Sequence, residues 1–146
     1  MDEIIKLLDP NLDYISHEIK DDFIYIMVES NKREINCPYC GNPSAKVHSR
    51  YRRKFQDKPI QGKKVVIILD NRKMFCQNPE CSNKTFAESY SFLPRKSQRS
   101  QRLEQEILDI SLHCSSIAAS KILSNGVVDI GKSAICRLLK KQRSED

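Results

Sequence analysis

The sequence contains no tryptophan, and aromatic residues make up only 7% of it. Large aromatic side chains supply much of the apolar area a small core buries. A chain this poor in them is expected to lean on some other device, such as a bound metal. Long hydrophobic runs are missing too. The longest unbroken aliphatic stretch is residues 65–69, far short of the roughly 20 apolar residues that cross a bilayer. A soluble protein with no membrane partner is therefore expected. The start, Met-Asp-Glu-Ile-Ile-Lys, lacks a basic region followed by an apolar core, so no secretory leader is read there. A cytoplasmic location follows as an expectation.

What the chain does have is a pair of cysteine knuckles. Cys37-Pro-Tyr-Cys40-Gly stands at one end, Cys76-Gln-Asn-Pro-Glu-Cys81 at the other, with thirty-five residues between them. A Cys-x2-Cys turn brings two thiolates within reach of one metal, and Pro38 and Gly41 tighten such a turn. Four soft sulfur ligands in tetrahedral array suit one structural zinc and leave no open position for a catalytic water. The four-residue spacing of the second knuckle and the long insert are looser than the tightest zinc patterns. Two disulfides in a secreted protein are the alternative. A cytosolic compartment keeps thiols reduced, which favours zinc on Cys37, Cys40, Cys76 and Cys81. His48 could replace one cysteine, but four thiols already fill the coordination shell. No clustered carboxylates accompany the cysteines, which argues against a metal-dependent nuclease.

Charge is unevenly spread along the 146 residues. Residues 1–36 carry four basic and nine acidic side chains, a balance of −5; residues 37–100 carry fourteen and four, +10; residues 101–146 carry seven and six, +1. The positive field is thus concentrated on the cysteine segment and just after it. That is the footprint expected for a polyphosphate partner, although a solvated basic face with no partner reads the same way.

A chain this long holds one modest domain or two small ones, and the patterning predicts an α+β protein. Residues 1–35 read as a short helix and a β-hairpin, with strands over 14–19 and 23–28 around Lys20-Asp21-Asp22. Residues 36–92 read as a four-cysteine, zinc-ribbon-like β domain. Its strands are expected over 46–53, 63–69 and 72–75, with turns at 57–62 and at Asp70-Asn71. Residues 93–100 are polar, basic and broken by Pro94, and read as a linker. From Gln101 the period becomes helical: Leu103, Ile107, Ile110 and Cys114 form one stripe, with Ser100 as N-cap. A second helix over 117–123 is capped by Ser115 and Ser116 and ended by Asn125-Gly126. A third, from about 131 to 142, buries Ala134, Ile135, Leu138 and Leu139. Three short helices in some forty residues fit a helix-turn-helix unit, although small helical bundles without DNA-binding function look alike. The third helix presents Lys132, Ser133, Arg137 and Lys140 outward, where they could reach phosphates and base edges. Cys114 and Cys136 read as core or helix-face thiols rather than ligands.

Residues 126–133, Gly-Val-Val-Asp-Ile-Gly-Lys-Ser, fit the P-loop expression letter for letter. The chemistry needs a buried strand before a flexible glycine-rich loop. Here a helical pattern precedes Gly126, and the intervening residues are mostly stiff and apolar. Nucleotide binding is not expected.

Taken in order, Cys37-Pro-Tyr-Cys40-Gly41, Val47-His48-Ser49-Arg50-Tyr51-Arg52-Arg53, Asp57-Lys58-Pro59-Ile60 with Gly62, Arg72, Phe75-Cys76, Cys81 and Phe86-Ala87-Glu88 carry a resemblance. Over about residues 35–141 the chain resembles the front end of an insertion-sequence transposase of the ISL-three type. Lys58 departs from the leucine that family favours. The resemblance implies that the zinc segment and helix-turn-helix bind the element's terminal inverted repeats as double-stranded DNA. It also implies that an Asp-Asp-Glu catalytic domain would lie downstream. The chain ends at Asp146 before such a domain could begin, so a non-enzymatic recognition half is expected, working as a homodimer or with a separate catalytic chain. It would be a truncated element, one frame of an interrupted gene, or a retained regulator. From the residues themselves, Arg50, Arg52, Arg53, Lys63, Lys64, Arg72 and Lys73 are expected to form a preset basic surface. Tyr51 and Phe55 interleave with it, as core residues or as stacking platforms. An RNA- or single-strand-binding ribbon would use them as platforms; a protein-interaction adaptor would show little salt dependence.

Overall fold

Short polar turns and alternating apolar residues set the architecture. Helix α1 (Asp2–Leu8) leads into β1 (Leu12–Lys20) and β2 (Phe23–Ser30), joined where Asp21 takes a left-handed φ of 54°. In β2 every second residue, Ile24, Ile26 and Val28, is buried, the period expected of a strand with one face on a core. The computed structural model describes all residues but Arg95, Cys114, Gly126, Asp129 and Asp146, and the side chains of Ser116 and residues 143–145. The expected place of Cys114 on a helix stripe and of Gly126 at a helix end therefore lies outside the described residues.

Strands β3 (Ile35–Asn36) and β4 (Pro43–Ser44) pair as a two-stranded sheet flanking the first knuckle. Two long strands follow, β5 (Val47–Ile60) and β6 (Lys63–Phe75), and then β7 (Thr85–Ala87). The main sheet runs β1-β2-β6-β5, and β7 pairs antiparallel with the end of β6, Met74 opposite Phe86. The protein is α+β.

Two expected turns differ. The turn over 57–62 is confined to Gln61 and Gly62, with φ of 52° and 73°; two left-handed residues match the twist of the flanking strands. Pro59 continues β5, which lies at the sheet edge, where proline is tolerated. At Asp70-Asn71 the chain does not turn at all. Asp70 accepts from Arg50 at 3.1 Å, and the Asn71 side chain donates to the Tyr51 hydroxyl at 2.7 Å. With partners on other residues, these side chains do not turn back on their own backbone.

The chain divides into two compact units that cut across the strands: Met1–His17, Ile26–Lys54 and Ile68–Ser91 form one, Glu18–Tyr25, Phe55–Ile67 and Phe92–Asp146 the other. The first unit contains both knuckles. Beside them, Cys37, Met74 and Phe86 make a buried cluster with Ile35 and Val47 packed against it.

The second unit holds α2 (Gln101–Ser111), α3 (Ser116–Ser124) and α4 (Lys132–Glu145), each packed on the other two. The hydroxyls of Ser100 and Ser115 accept from the Leu103 and Ala118 amides, capping α2 and α3. Leu103, Ile107, Ala119, Leu123, Ile135 and Leu138 are buried, and Ile110, Ala134 and Leu139 pack against them. The basic stretch before α2 is fastened to β5: Gln56 N–H donates to the Gln98 carbonyl at 2.8 Å, and Ser100 N–H to the Gln56 carbonyl at 2.9 Å.

The α3–α4 connection also explains why the P-loop match fails. Val128 and Ile130 are buried in the helical core, and a helix rather than a strand precedes the connection. Gly126 and Asp129 of that match lie outside the described residues.

Candidate metal centre

The two knuckles fold by backbone hydrogen bonds that their sequences favour. In the first, Gly41 N–H donates to the Cys37 carbonyl at 2.8 Å and Cys37 N–H to the Asn42 carbonyl at 2.9 Å. Gly41 has φ +80°, a conformation that side-chain-bearing residues rarely adopt. In the second, Cys76 N–H donates to the Lys84 carbonyl at 2.8 Å and Cys81 N–H to the Asn78 carbonyl at 3.1 Å. The Asn78 side chain accepts from Glu80 N–H at 3.1 Å and holds the turn.

These turns bring the sulfurs of Cys37, Cys40, Cys76 and Cys81 within 4.8 Å of one another, with Cys40 and Cys76 3.5 Å apart. Ligand atoms at about 2.3 Å from a tetrahedral zinc are about 3.8 Å apart, so the cluster matches the ion's size. The donor chemistry agrees. The backbone N–H of Asn42 stabilises the Cys40 thiolate and outweighs its burial, bringing that thiol down to about 7. The Asn78 and Asn83 amides also favour thiolates at Cys76 and Cys81, but at Cys81 burial and the sulfurs of Cys40 and Cys37 overcome that amide and raise the thiol. At Cys76, burial and the sulfurs of Cys40, Cys37 and Cys81 overcome that amide and push the thiol up to about 12. Four thiols this close cannot all shed protons unless a cation replaces them. His48 is not part of the cluster: its ring packs on Phe75 at 4.8 Å, and Nδ1 is 2.9 Å from the Ser49 hydroxyl.

Residues 33–81 match the zinc-finger of transposase IS204/IS1001/IS1096/IS1165. No curated protein and no solved structure matches the chain. Over that segment the chain is similar to the zinc ribbon of that transposase family, and its four cysteines are placed to hold one structural zinc ion.

The basic residues separate by burial and partner. Arg72 is not a surface residue. Only 7% exposed, its guanidinium donates to Glu88 from Nε at 2.9 Å and from Nη2 at 3.1 Å, with the Ser30 hydroxyl donating to the same carboxylate at 2.8 Å. Desolvation works against the Arg72 charge, but the bonds to Glu88 outweigh it and raise its pKa. Arg72 therefore leaves the expected basic surface, because its partner Glu88 arrives from just past β7, beyond the second knuckle. Lys63 donates to the Asp21 carbonyl at 2.7 Å, and Lys64 lies over the Phe23 ring at 5.6 Å. Arg53 is half-buried.

Arg50, Arg52 and Lys73 are exposed in the zinc-bearing unit, and Lys132, Ser133, Arg137 and Lys140 on α4. Arg50 pairs with Asp70 while half exposed, an interaction worth about 0–1 kcal/mol that a phosphate could displace. Lys54, not among the residues expected from the sequence, is exposed as well. Strand alternation sets Arg50, Arg52 and Lys54 on the face opposite Phe55 and Asp57, and both of those are buried. The signal was the period of two, obscured because Arg52, Arg53 and Lys54 are consecutive.

Phe55 is buried and packs on Phe92, ring centroids 5.8 Å apart, so it is no stacking platform. Asp57, expected in a turn, is buried instead. It accepts from the Ser100 hydroxyl at 2.7 Å and from Arg102 Nε at 2.8 Å, with a second Arg102 bond from Nη2.

Proposed function

We propose that this chain is a zinc-stabilised DNA-binding region that recognises the terminal inverted repeats of an insertion sequence. The observation that carries the reading is the match of residues 33–81 to a transposase zinc finger, coinciding with the four-cysteine cluster. In this reading the zinc fixes the strand ends so that Arg50, Arg52 and Lys54 present a rigid row of cations. Such a row meets phosphates whatever the sequence and supplies salt-dependent affinity. The three helices act as a helix-turn-helix unit, with α4 in the major groove. Arg137 pairs there with a guanine edge, flanked by Lys132, Ser133 and Lys140.

The region performs no chemistry in this reading, since a zinc with four thiolates has no open position for water or substrate. Strand cutting is then the work of a downstream Asp-Asp-Glu domain or a separate chain. Labelled duplexes carrying the repeats that flank the gene, scrambled duplexes and the corresponding single strands test the reading together. Tighter binding to the repeat duplex, falling steeply with salt, is expected, and no cleavage with magnesium or manganese. Equal binding to scrambled DNA, or preference for the single strand, would overturn it.

A further inference from the structure

The two edges of the main sheet are built differently. β5 carries Arg50, Arg52, Arg53, Lys54, Lys58 and Pro59, and residues 98–100 bond to it at Gln56. Charge, proline and cover are the usual means of stopping an edge strand from pairing with another chain. β1 forms the other edge, and only its start is closed. Lys6 Nζ donates to the Leu12 carbonyl at 2.8 Å, and Asp2 accepts from Tyr14 N–H at 3.2 Å. From residue 15 to 20, among the described residues, no strand or side chain takes the outer backbone groups. There the strand has neither proline nor glycine, and Ile15 and Ile19 stand 49% and 58% exposed.

We propose that β1 pairs antiparallel with β1 of a second copy of this chain about a two-fold axis at His17. Such pairing gives an isologous interface and closes both open edges at once. The strand's sequence fits this register. Opposite residues would be Ile15 and Ile19, Ser16 and Glu18, Tyr14 and Lys20, and His17 with its own copy; none is a like-charged pair. The two isoleucine pairs would bury side chains that stand in water in the single chain, and apolar β-branched pairs across strands are stabilising. Lys20 ends the strand before Asp21 would meet Asp13 of the other copy. The pairing needs no DNA and is independent of the reading above.

Light scattering or sedimentation on the full zinc-loaded chain, over a range of concentrations, measures it directly. The wild type is expected at twice the mass of the chain. Ile15→Lys with Ile19→Lys puts like charges opposite each other twice and should give the single-chain mass, with zinc content and circular dichroism unchanged. Ile15→Lys with Ile19→Glu puts opposite charges across the same pairs and should restore the doubled mass. A wild type of single-chain mass at every concentration overturns the proposal, as does a double-lysine variant that stays doubled. Failure of the lysine–glutamate variant to recover, while it retains its zinc and fold, also overturns it.

Discussion

Two regions of this molecule reach order by different means. In the helical unit, eight buried apolar residues among those described, from three helices and their connection, form one cluster. Around the knuckles the buried cluster has three members among the described residues, one of them the ligand Cys37. The helical segment orders itself by removing aliphatic surface from water, at ~25 cal/mol per Å². The knuckle segment has too little such surface to offset the entropy of fixing its turns, and the zinc supplies what is missing. The same chain thus solves the small-domain problem twice.

Removing the metal should break this comparison most strongly. Structural zinc in isolated fingers is worth on the order of 10 kcal/mol, and that binding energy is folding energy. Chelation is expected to release the turns at 37–42 and 76–84 and the pairing of β3 with β4, while α2, α3 and α4 keep their amides protected. Hydrogen exchange with and without chelator reads this out residue by residue, and metal analysis of Cys76→Ser should find the zinc gone. Retained zinc and unchanged exchange in that variant would falsify the four-ligand centre.

Next in size are the buried ion pairs. Glu88 is the carboxylate partner of Arg72, and both side chains are nearly inaccessible. Glu88→Ala leaves a buried guanidinium uncompensated and should cost about 3–5 kcal/mol. Asp57→Ala strips Arg102 and the N-capping Ser100 of their common acceptor. Arg102 keeps 31% of its side chain in solvent, so the loss there should be smaller, about 2 kcal/mol. Denaturant melts of both variants rank them. The comparison sharpens if Glu88→Ala also loosens zinc, since Arg72 lies two residues from Met74 of the knuckle cluster.

In the helical unit the matching test is Ile107→Ala, which empties a fully buried site between helices. A loss of about 2–4 kcal/mol is expected, with zinc affinity unchanged. If the zinc content falls with the helices, the two units do not order independently.

How much of this was readable beforehand follows the same divide. The zinc cysteines were legible because metal ligation leaves short spacings that need no tertiary context. The helical core was legible because Leu103, Ile107, Ile135 and Leu138 repeat at the helical period. Arg72 and Asp57 were not, since their burial depends on Glu88 and on Ser100 and Arg102, supplied from just past β7 and from the α2 start. Nothing in the local pattern separates a buried arginine on a strand from an exposed one. The turns misjudged at 57–60 and 70–71 share that cause: polar residues that favour turns on their own have distant partners here. Lys54 was legible in principle, through alternation with Arg50 and Arg52.

The smallest expected effects concern DNA, and they carry the comparison into function. If the zinc unit supplies a rigid row of charge and the helical unit a reading surface, substitutions in each should fail differently. Arg137→Ala should cost about 1–3 kcal/mol on the repeat duplex and little on a scrambled one, because a guanidinium–guanine pair exists only at the right base. Arg52→Ala should cost less and cost it equally on both duplexes, because phosphates are the same everywhere. It should also lower the log–log salt slope by about one, the signature of one phosphate fewer neutralised by the protein. Neither residue is buried, so both variants should keep their zinc and their melting behaviour. Binding curves on both duplexes at two salt concentrations separate the outcomes. Equal losses on the two duplexes for Arg137→Ala would make it a backbone-binding residue and remove α4 as the reader. A site-specific loss for Arg52→Ala would move base recognition onto the strand that the zinc holds in place.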